Sequence, residues 1–231
     1  MLPSVPPRGR RMYMIIVGAG SIGTSLIDIS VKEKNNVVIV EASPERGREI
    51  SSKYDVTVLT GNATSAETLR EAGSERADAL IVTTSDDAVN LMVVSIAADL
   101  GIPSIVSIVN DEEHADFFRK LGANVMENPE DVVAHHLYNA VKRPSVQDFA
   151  MLPQDAQIFR LQVSAESPLI NRSVSDAVKR EIIPASMRIL AIDRAGDQSI
   201  PSDDTIVEEN DVLTFFSLDP VGDELIEKLT G

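Results

Sequence analysis

The chain has 231 residues, of which 43% are apolar, 25% charged and only 4% aromatic, with no cysteine and a formal net charge of −15. This composition belongs to an ordinary soluble globular protein with one large domain or two modest ones of roughly 100–200 residues each, not to a fibre or a disordered chain. Missing cysteine removes disulfides, thiolate nucleophiles, iron–sulfur clusters and thiolate zinc sites, and fits a reducing compartment, while acidity spread along the whole chain argues against nucleic acid or an anionic membrane surface as a direct partner.

In chain order, "MLPSVPPRGRR" places Arg8, Arg10 and Arg11 beside three prolines. Residues 1–11 are therefore expected to be a disordered basic leader, without the apolar centre of a secretory signal. Short β-branched runs then recur at Tyr13–Val17, Asn36–Val40, Val56–Leu59, Ala79–Val82, Ser104–Val109 and Asn124–Met126. Such runs suit buried parallel strands, and none approaches the ~20 apolar residues of a membrane-spanning helix, so direct insertion is not expected. Between them lie helical stretches opened by Ser43, Thr64 and Asp86, whose side chains can accept from first-turn amides, and closed at Gly73, Gly101 and Gly122.

Six strands alternating with helices predict an α/β fold, a Rossmann-type doubly wound parallel sheet over residues 12–143, with its ligand at the carboxyl ends of the strands. The last helix of this stretch, Pro129–Lys142, carries Val132, Val133, Leu137, Tyr138 and Val141, more apolar residues than one buried stripe requires, which points to a partner surface. Two prolines in "RPSVQDFAMLPQDA" place a linker at 144–156. A small α+β domain is expected over 157–231. "QIFRLQV" alternates like a strand, "SVSDAVKREI" reads as a capped helix, "MRILAIDRAGDQSI" as a strand turning at Gly196, "DVLTFFSL" as a strand and "DELIEKL" as a closing helix. At about 70 residues such a unit is marginal alone and calls for a partner or a dimer.

The chemistry concentrates in "GAGSIG" after the first strand. Gly18 permits the tight turn, Gly20 admits phosphates close to the backbone and Gly23 lets the helix approach the sheet, so that phosphates meet a helix N-terminus. Glu41, 18 residues beyond Gly23 at the end of the second strand, can accept from an adenosine ribose diol and would repel a 2′-phosphate. That disfavours NADP and leaves NAD, AMP, ADP and ATP equivalent. Further contacts are expected from "TGNAT" at Thr60–Thr64 near adenine and from "TTSDDAVN" at Thr83–Asn90 near a phosphate or second ribose, with structural duty an equal reading for Asn62 and Asn90.

The order "IIVGAGSIG", "VVIVEASPER", "GNATSAETLREAG", "ADALIVTTSDDAVNL" and "NDEEHADFFRKLGANVMENPE" resembles the RCK domain (regulator of conductance of potassium) of Trk and Ktr potassium-uptake regulatory subunits. "SPLINRSVSDA", "RILAIDRAG" and "IPSDDTIVEENDVLTFF" are similar to the C-terminal RCK subdomain, so the resemblance covers residues 13–229. It implies a non-enzymatic cytoplasmic regulator, peripheral to the inner face of the membrane. Such a regulator forms homodimers that build a larger ring, an octamer, binds NAD(H) or an adenine nucleotide, and gates an integral membrane potassium-translocating subunit. By motif match the nucleotide contacts fall on Gly18, Ala19, Gly20, Ser21, Ile22, Glu41, Gly61, Asn62, Thr84 and Ser85. Two positions depart from the pattern: Ile108 stands where many relatives have an Arg in the fifth strand, and Ser21 where some ATP-sensing relatives have one. Both departures remove positive charge from the phosphate region. Glu130 matches an acid that in some relatives helps to bind a divalent cation between subunits; capping electrostatics at a helix start is the simpler account of it.

Other candidates are weaker. His135 and His136 are adjacent and diverge on a helix, which does not suit a metal, and His114 in "NDEEHADFF" reads as solvent-exposed. Asp203, Asp204, Glu208, Glu209 and Asp211 read as a solvated loop, with calcium the lesser reading because EF-hand spacing is absent. The rival function, an NAD-dependent oxidoreductase, would need an acid or base against the nicotinamide, and the segment after Arg143 contains no His. Regulation of another cation transporter, such as a cation/proton antiporter, stays compatible with the residues.

Overall fold

The computed structural model describes residues 11–143 and 145–231. The basic leader therefore lies outside the described residues apart from Arg11, as does the side chain of His135. The chain divides into two compact units between Glu130 and Asp131.

The first unit runs β1 (Tyr13–Val17), α1 (Ser21–Lys32), β2 (Asn36–Glu41), α2 (Pro44–Lys53), β3 (Thr57–Thr60), α3 (Ala66–Glu71), β4 (Ala79–Val82), α4 (Asp87–Asp99), β5 (Ile105–Val109), α5 (Ala115–Lys120) and β6 (Asn124–Glu127). Its six strands are parallel in the order β3-β2-β1-β4-β5-β6. Helices cover both faces, which is why Ile15, Ile16, Ile39 and Leu80 on neighbouring residues and strands are all fully buried. Each such side chain contributes about 1.5–3 kcal/mol relative to exposure. Strand order reverses between β1 and β4, and the crevice where ligands bind opens at that switch point.

Local capping follows the sequence closely. Ser43 Oγ accepts from Arg46 N at 3.3 Å with Pro44 in the first turn of α2, and Asp86 Oδ1 accepts from the Ala88 and Val89 amides at 2.8 and 3.1 Å. Thr64 is an exception. Its amide and hydroxyl both donate to Asn62 Oδ1, at 3.0 and 2.8 Å, so the side chain closes a turn and α3 begins one residue later, after Ser65.

The second unit contains α6 (Pro129–Lys142, from Asp131 onward), β7 (Val146–Met151), β8 (Gln157–Gln162), α7 (Val174–Lys179), β9 (Met187–Arg194), β10 (Asp197–Ser199), β11 (Val212–Ser217) and α8 (Asp223–Thr230). Its strands form an antiparallel sheet in the order β10-β9-β11-β8-β7. The stretch that two prolines mark as a linker thus contains a strand: β7 pairs with β8 through Val146↔Leu161 and Met151↔Gln157. Pro153 falls outside the strand, where it removes no ladder donor. One face of the sheet is the core, where the Phe159 and Phe215 rings stack at 5.4 Å between centroids beside Leu161, Leu213, Ile226 and Leu229.

α6 spans the residues its sequence pattern predicts, and its five apolar residues stay uncovered, Val132, Val133, Leu137 and Tyr138 at 55–63% exposure and Val141 at 83%. Its carboxyl end is tied down by Asp223, which meets Lys142 Nζ at 2.6 Å and Arg143 Nε at 2.6 Å. The acidic loop differs from the solvated cluster expected of it. Asp203, Asp204 and Glu209 are exposed, but Asp211 is fully buried and held bidentately by Arg194 Nε and Nη2 at 2.8 and 2.9 Å, with the Glu208 amide adding a third bond at 2.8 Å. Burial favours the neutral acid at Asp211, and the guanidinium and amide outweigh it, so its carboxyl is held below the usual range.

Candidate functional site

The glycine turn is built by steric necessity. Gly18 has φ +89°, the left-handed region, and a Cβ on Gly23 would lie 2.1 Å from the Gly18 carbonyl oxygen. No side chain fits between α1 and the turn, which is the close packing expected of the third glycine. Thr83 at the end of β4 knits the same place together by donating its hydroxyl to the carbonyls of Val17 and Gly18, each at 3.1 Å. Gly20 is different: a Cβ there would meet nothing within 4 Å, and α1 starts from it without a side-chain cap. The first-turn amides of α1 have no intrahelical partner, and the open space at Gly20 lets an anion reach them.

A cleft of about 420 Å³ opens above this turn. It gathers Gly18, Ala19, Gly20, Ser21, Ile22, Glu41, Gly61, Asn62, Thr84, Ser85 and Glu130, contributed by the ends of β1, β2, β3 and β4 and the start of α6. Gly23 lies outside the lining, consistent with its packing role. So does Asn90, which is fully buried, accepts from the Thr84 hydroxyl at 2.5 Å and donates to the Thr84 and Ile108 carbonyls at 2.9 and 3.4 Å. Its duty is structural.

Glu41, the last residue of β2, is half-buried and engaged by the backbone: Oε2 accepts from Ala19 N at 2.7 Å and Oε1 from Ser43 N at 2.8 Å. Each carboxylate oxygen retains a lone pair, so the group can hold the turn and still accept from a diol. Asp86, within the Thr83–Asn90 stretch expected to supply contacts, joins the lining, and so does Asn110, which the rule that ligands sit at strand ends places just after β5. Arg46 was missed. It follows Glu41 by five residues, and its Nε donates to the Ala19 carbonyl at 2.7 Å.

At the cleft mouth, Asp87 accepts from the Asn110 amide and side chain and from the Asp111 amide at 2.8–2.9 Å, and pairs with His114 Nδ1 at 2.9 Å. His114 is exposed, as its sequence context predicts, and the neighbouring carboxylate raises its pKa above the ordinary value. Burial pushes Asp87 up, and the bonds from Asn110, His114 and Asp111 more than reverse that shift. Among the described residues, no three His, Cys, Asp or Glu side chains come together to hold a metal ion, so Glu130 stands in the cleft without a ligand set around it.

Residues 14–129 match the model of the TrkA-N domain, and residues 158–229 match that of the TrkA-C domain. The chain belongs to the TrkA family. The TrkA-N match ends one residue before the first compact unit does, and it contains the whole glycine turn and Glu41. Among TrkA relatives, the Trk system potassium uptake protein TrkA homolog of Methanothermobacter thermautotrophicus is 27% identical over 221 residues, 95% of this chain and 100% of that one. The Trk system potassium uptake protein TrkA of Vibrio alginolyticus is 29% identical over 212 residues, 88% of this chain but 46% of that one, so the present chain spans about half of it. In fold, the chain is similar to the GsuK channel bound to NAD, with a TM-score of 0.64 and 20% identity over 98% of this chain and 40% of that one. Among the described residues, no helix is long and apolar enough to cross a membrane.

Proposed function

We propose that this chain is a cytoplasmic regulatory subunit that binds an adenine nucleotide at the switch-point cleft and thereby gates a membrane potassium-translocating partner. The observation that carries the reading is the cleft itself. An uncapped helix start opens onto free space at Gly20, and an acid stands at the end of β2, in a chain with both TrkA domains. Ser21 and Ile22 amides with Gly18, Ala19 and Gly20 hold the phosphates, and Glu41 accepts from the ribose diol. Gly61 and Asn62 border the adenine, while Thr84 and Ser85 face the far phosphate or second ribose. NAD(H), AMP, ADP and ATP are the candidate ligands, and the relatives' names and the NAD-bound channel support the class.

The nucleotide is a signal here, not a reactant. It contributes binding energy, and it shifts a two-state assembly only by binding the two states unequally. The uncovered α6 residues supply the contact through which dimers form and build a ring, in our reading an octamer. Glu130 acts through the start of α6 as helix electrostatics rather than as a metal ligand.

Thermal-shift titration with NAD, NADH, AMP, ADP and ATP tests the reading. At least one should raise the melting temperature with saturable concentration dependence, as linkage requires. Five flat titrations, or sustained protein-dependent NADH oxidation with a simple carbonyl substrate, would sink the sensor reading.

A further inference from the structure

Among the described residues, no lysine or arginine lines the cleft; the ionisable side chains of that lining are Glu41, Asp86 and Glu130. Among the described lining residues, the helix amides are the donors suited to a phosphate. Arg46 lies outside that lining, in a separate groove between α1 and α2 that it shares with Thr24 and Lys53. From there its Nε donates to the Ala19 carbonyl at 2.7 Å, its Nη2 donates to Thr24 Oγ1 at 2.8 Å, and its Nη1 meets Glu49 Oε2 at 2.6 Å. Thr24 continues the strap, donating its hydroxyl and its amide to the Gly20 carbonyl at 2.7 and 2.9 Å. On the other side of Ala19, the amide is held by Glu41 at 2.7 Å.

All peptide bonds here are trans, and a trans peptide carries its C=O and N–H in opposite directions. Drawing the Ala19 oxygen toward Arg46 therefore turns the Gly20 N–H the opposite way. Drawing the Gly20 oxygen toward Thr24 does the same for the Ser21 N–H. A cation at one end of a peptide also polarises it, so the N–H at the other end donates more strongly.

We infer that Arg46 is a positioning residue for the phosphate end of the ligand, holding the Ala19 and Gly20 peptides so that the Gly20 and Ser21 amides serve an anion in a cleft whose described lining offers no cation. The inference rests on the nucleotide reading above and extends it to a residue outside the cleft.

The test compares ligands with and without phosphate on the full-length chain. Calorimetry or competition binding is run with AMP, ADP and NAD against adenosine, which has the same base and ribose diol. Arg46→Met should weaken each phosphate-bearing ligand about 10-fold, the scale expected of a charge-assisted bond acting through one peptide, and adenosine less than about 2-fold. Arg46→Lys, which keeps the charge but lacks the fork, should recover part of the loss. Thr24→Val, which cuts the strap at its second link, should show the same phosphate-selective loss, and it decides the matter if Arg46→Met does not fold. Equal losses for adenosine and AMP would reduce Arg46 to general scaffolding, and an unchanged AMP affinity would remove it altogether. A wild type that binds adenosine and AMP equally refutes the phosphate role alone, whereas a wild type that binds none of the four refutes the nucleotide reading beneath it.

Discussion

Glu41→Ala separates a ligand contact from a structural brace, because the wild-type carboxylate is positioned to be both. In the folded chain it accepts from the Ala19 and Ser43 amides at 2.7 and 2.8 Å. Losing a charged acceptor for two amides, one of them exposed and able to turn to water, should cost about 1–2 kcal/mol of stability. Losing the ribose contact should cost a further 1–3 kcal/mol of binding, or about 5- to 150-fold in Kd. Denaturant unfolding measures the first quantity and calorimetry with AMP the second. A 2′-deoxy ligand then completes the cycle: removing the 2′-hydroxyl should weaken binding to wild type and change nothing for Glu41→Ala. If the deoxy ligand loses the same affinity on both proteins, Glu41 does not touch the diol. Unchanged AMP affinity in Glu41→Ala would take the residue out of the site entirely.

Leu137→Asp on α6, at a side chain 62% exposed in the single chain, should lower the mass of the assembly in light scattering without unfolding it; normal assembly of the folded variant would mean the helix was misread. Arg194→Met leaves the Asp211 carboxylate buried without its guanidinium, and urea unfolding should show a loss of about 2–3 kcal/mol, below the 3–5 kcal/mol of fully buried pairs because Arg194 is 43% exposed. Adding Asp211→Leu should recover much of that loss, and a single-variant cost under about 0.5 kcal/mol would contradict the burial argument. For the His114–Asp87 pair, the folded-state pKa of His114 is raised, so its contribution is complete below its ordinary 6.5 and is lost as pH rises through the folded value. That of Asp87 is lowered, so its contribution is present above its ordinary 3.8 and is lost as pH falls further. Melting temperature should therefore fall as pH rises above His114's ordinary 6.5 in the wild type and less steeply in His114→Gln; parallel curves would remove the pair from the pH response.

The first unit was legible because its signals are local. The four central strands announce themselves as short apolar runs, whereas β3 and β6, at the sheet edges, carry no buried residue, and Ser43 and Asp86 precede the helices they cap. Thr64 misleads because Asn62 captures its amide and hydroxyl before α3 can use them, a competition between two polar neighbours that spacing does not rank. β7 hides between prolines that flank it instead of interrupting it. Asp211 looks like one acid among five until strand pairing brings Arg194, 17 residues earlier, against it. The same reason conceals Arg46, whose partner is a backbone carbonyl 27 residues away in sequence. Side-chain to backbone contacts across elements depend on where the chain folds, and no residue type at the far end marks them.

The charge balance of the cleft bears on which nucleotide it favours. Ser21 and Ile108, both in the lining, stand where the resemblance implies an arginine in some relatives, and Glu41, Asp86 and Glu130 contribute only negative charge. At roughly 8 Å and an effective dielectric constant of about 20, each added unit of negative charge on a ligand costs about 2 kcal/mol against one such carboxylate before screening by salt. Helix amides return about 0.3–1 kcal/mol, up to about 2 in partly buried geometry. The amides can therefore offset a small phosphate charge but not a large one. A pyrophosphate diester presents less charge than a free triphosphate and offers a second ribose to Thr84 and Ser85. On these terms we expect a dinucleotide to bind more tightly than ATP in competition binding, with Arg46, acting through the Ala19–Gly20 peptide, supplying from behind the turn the positive bias that the described lining lacks.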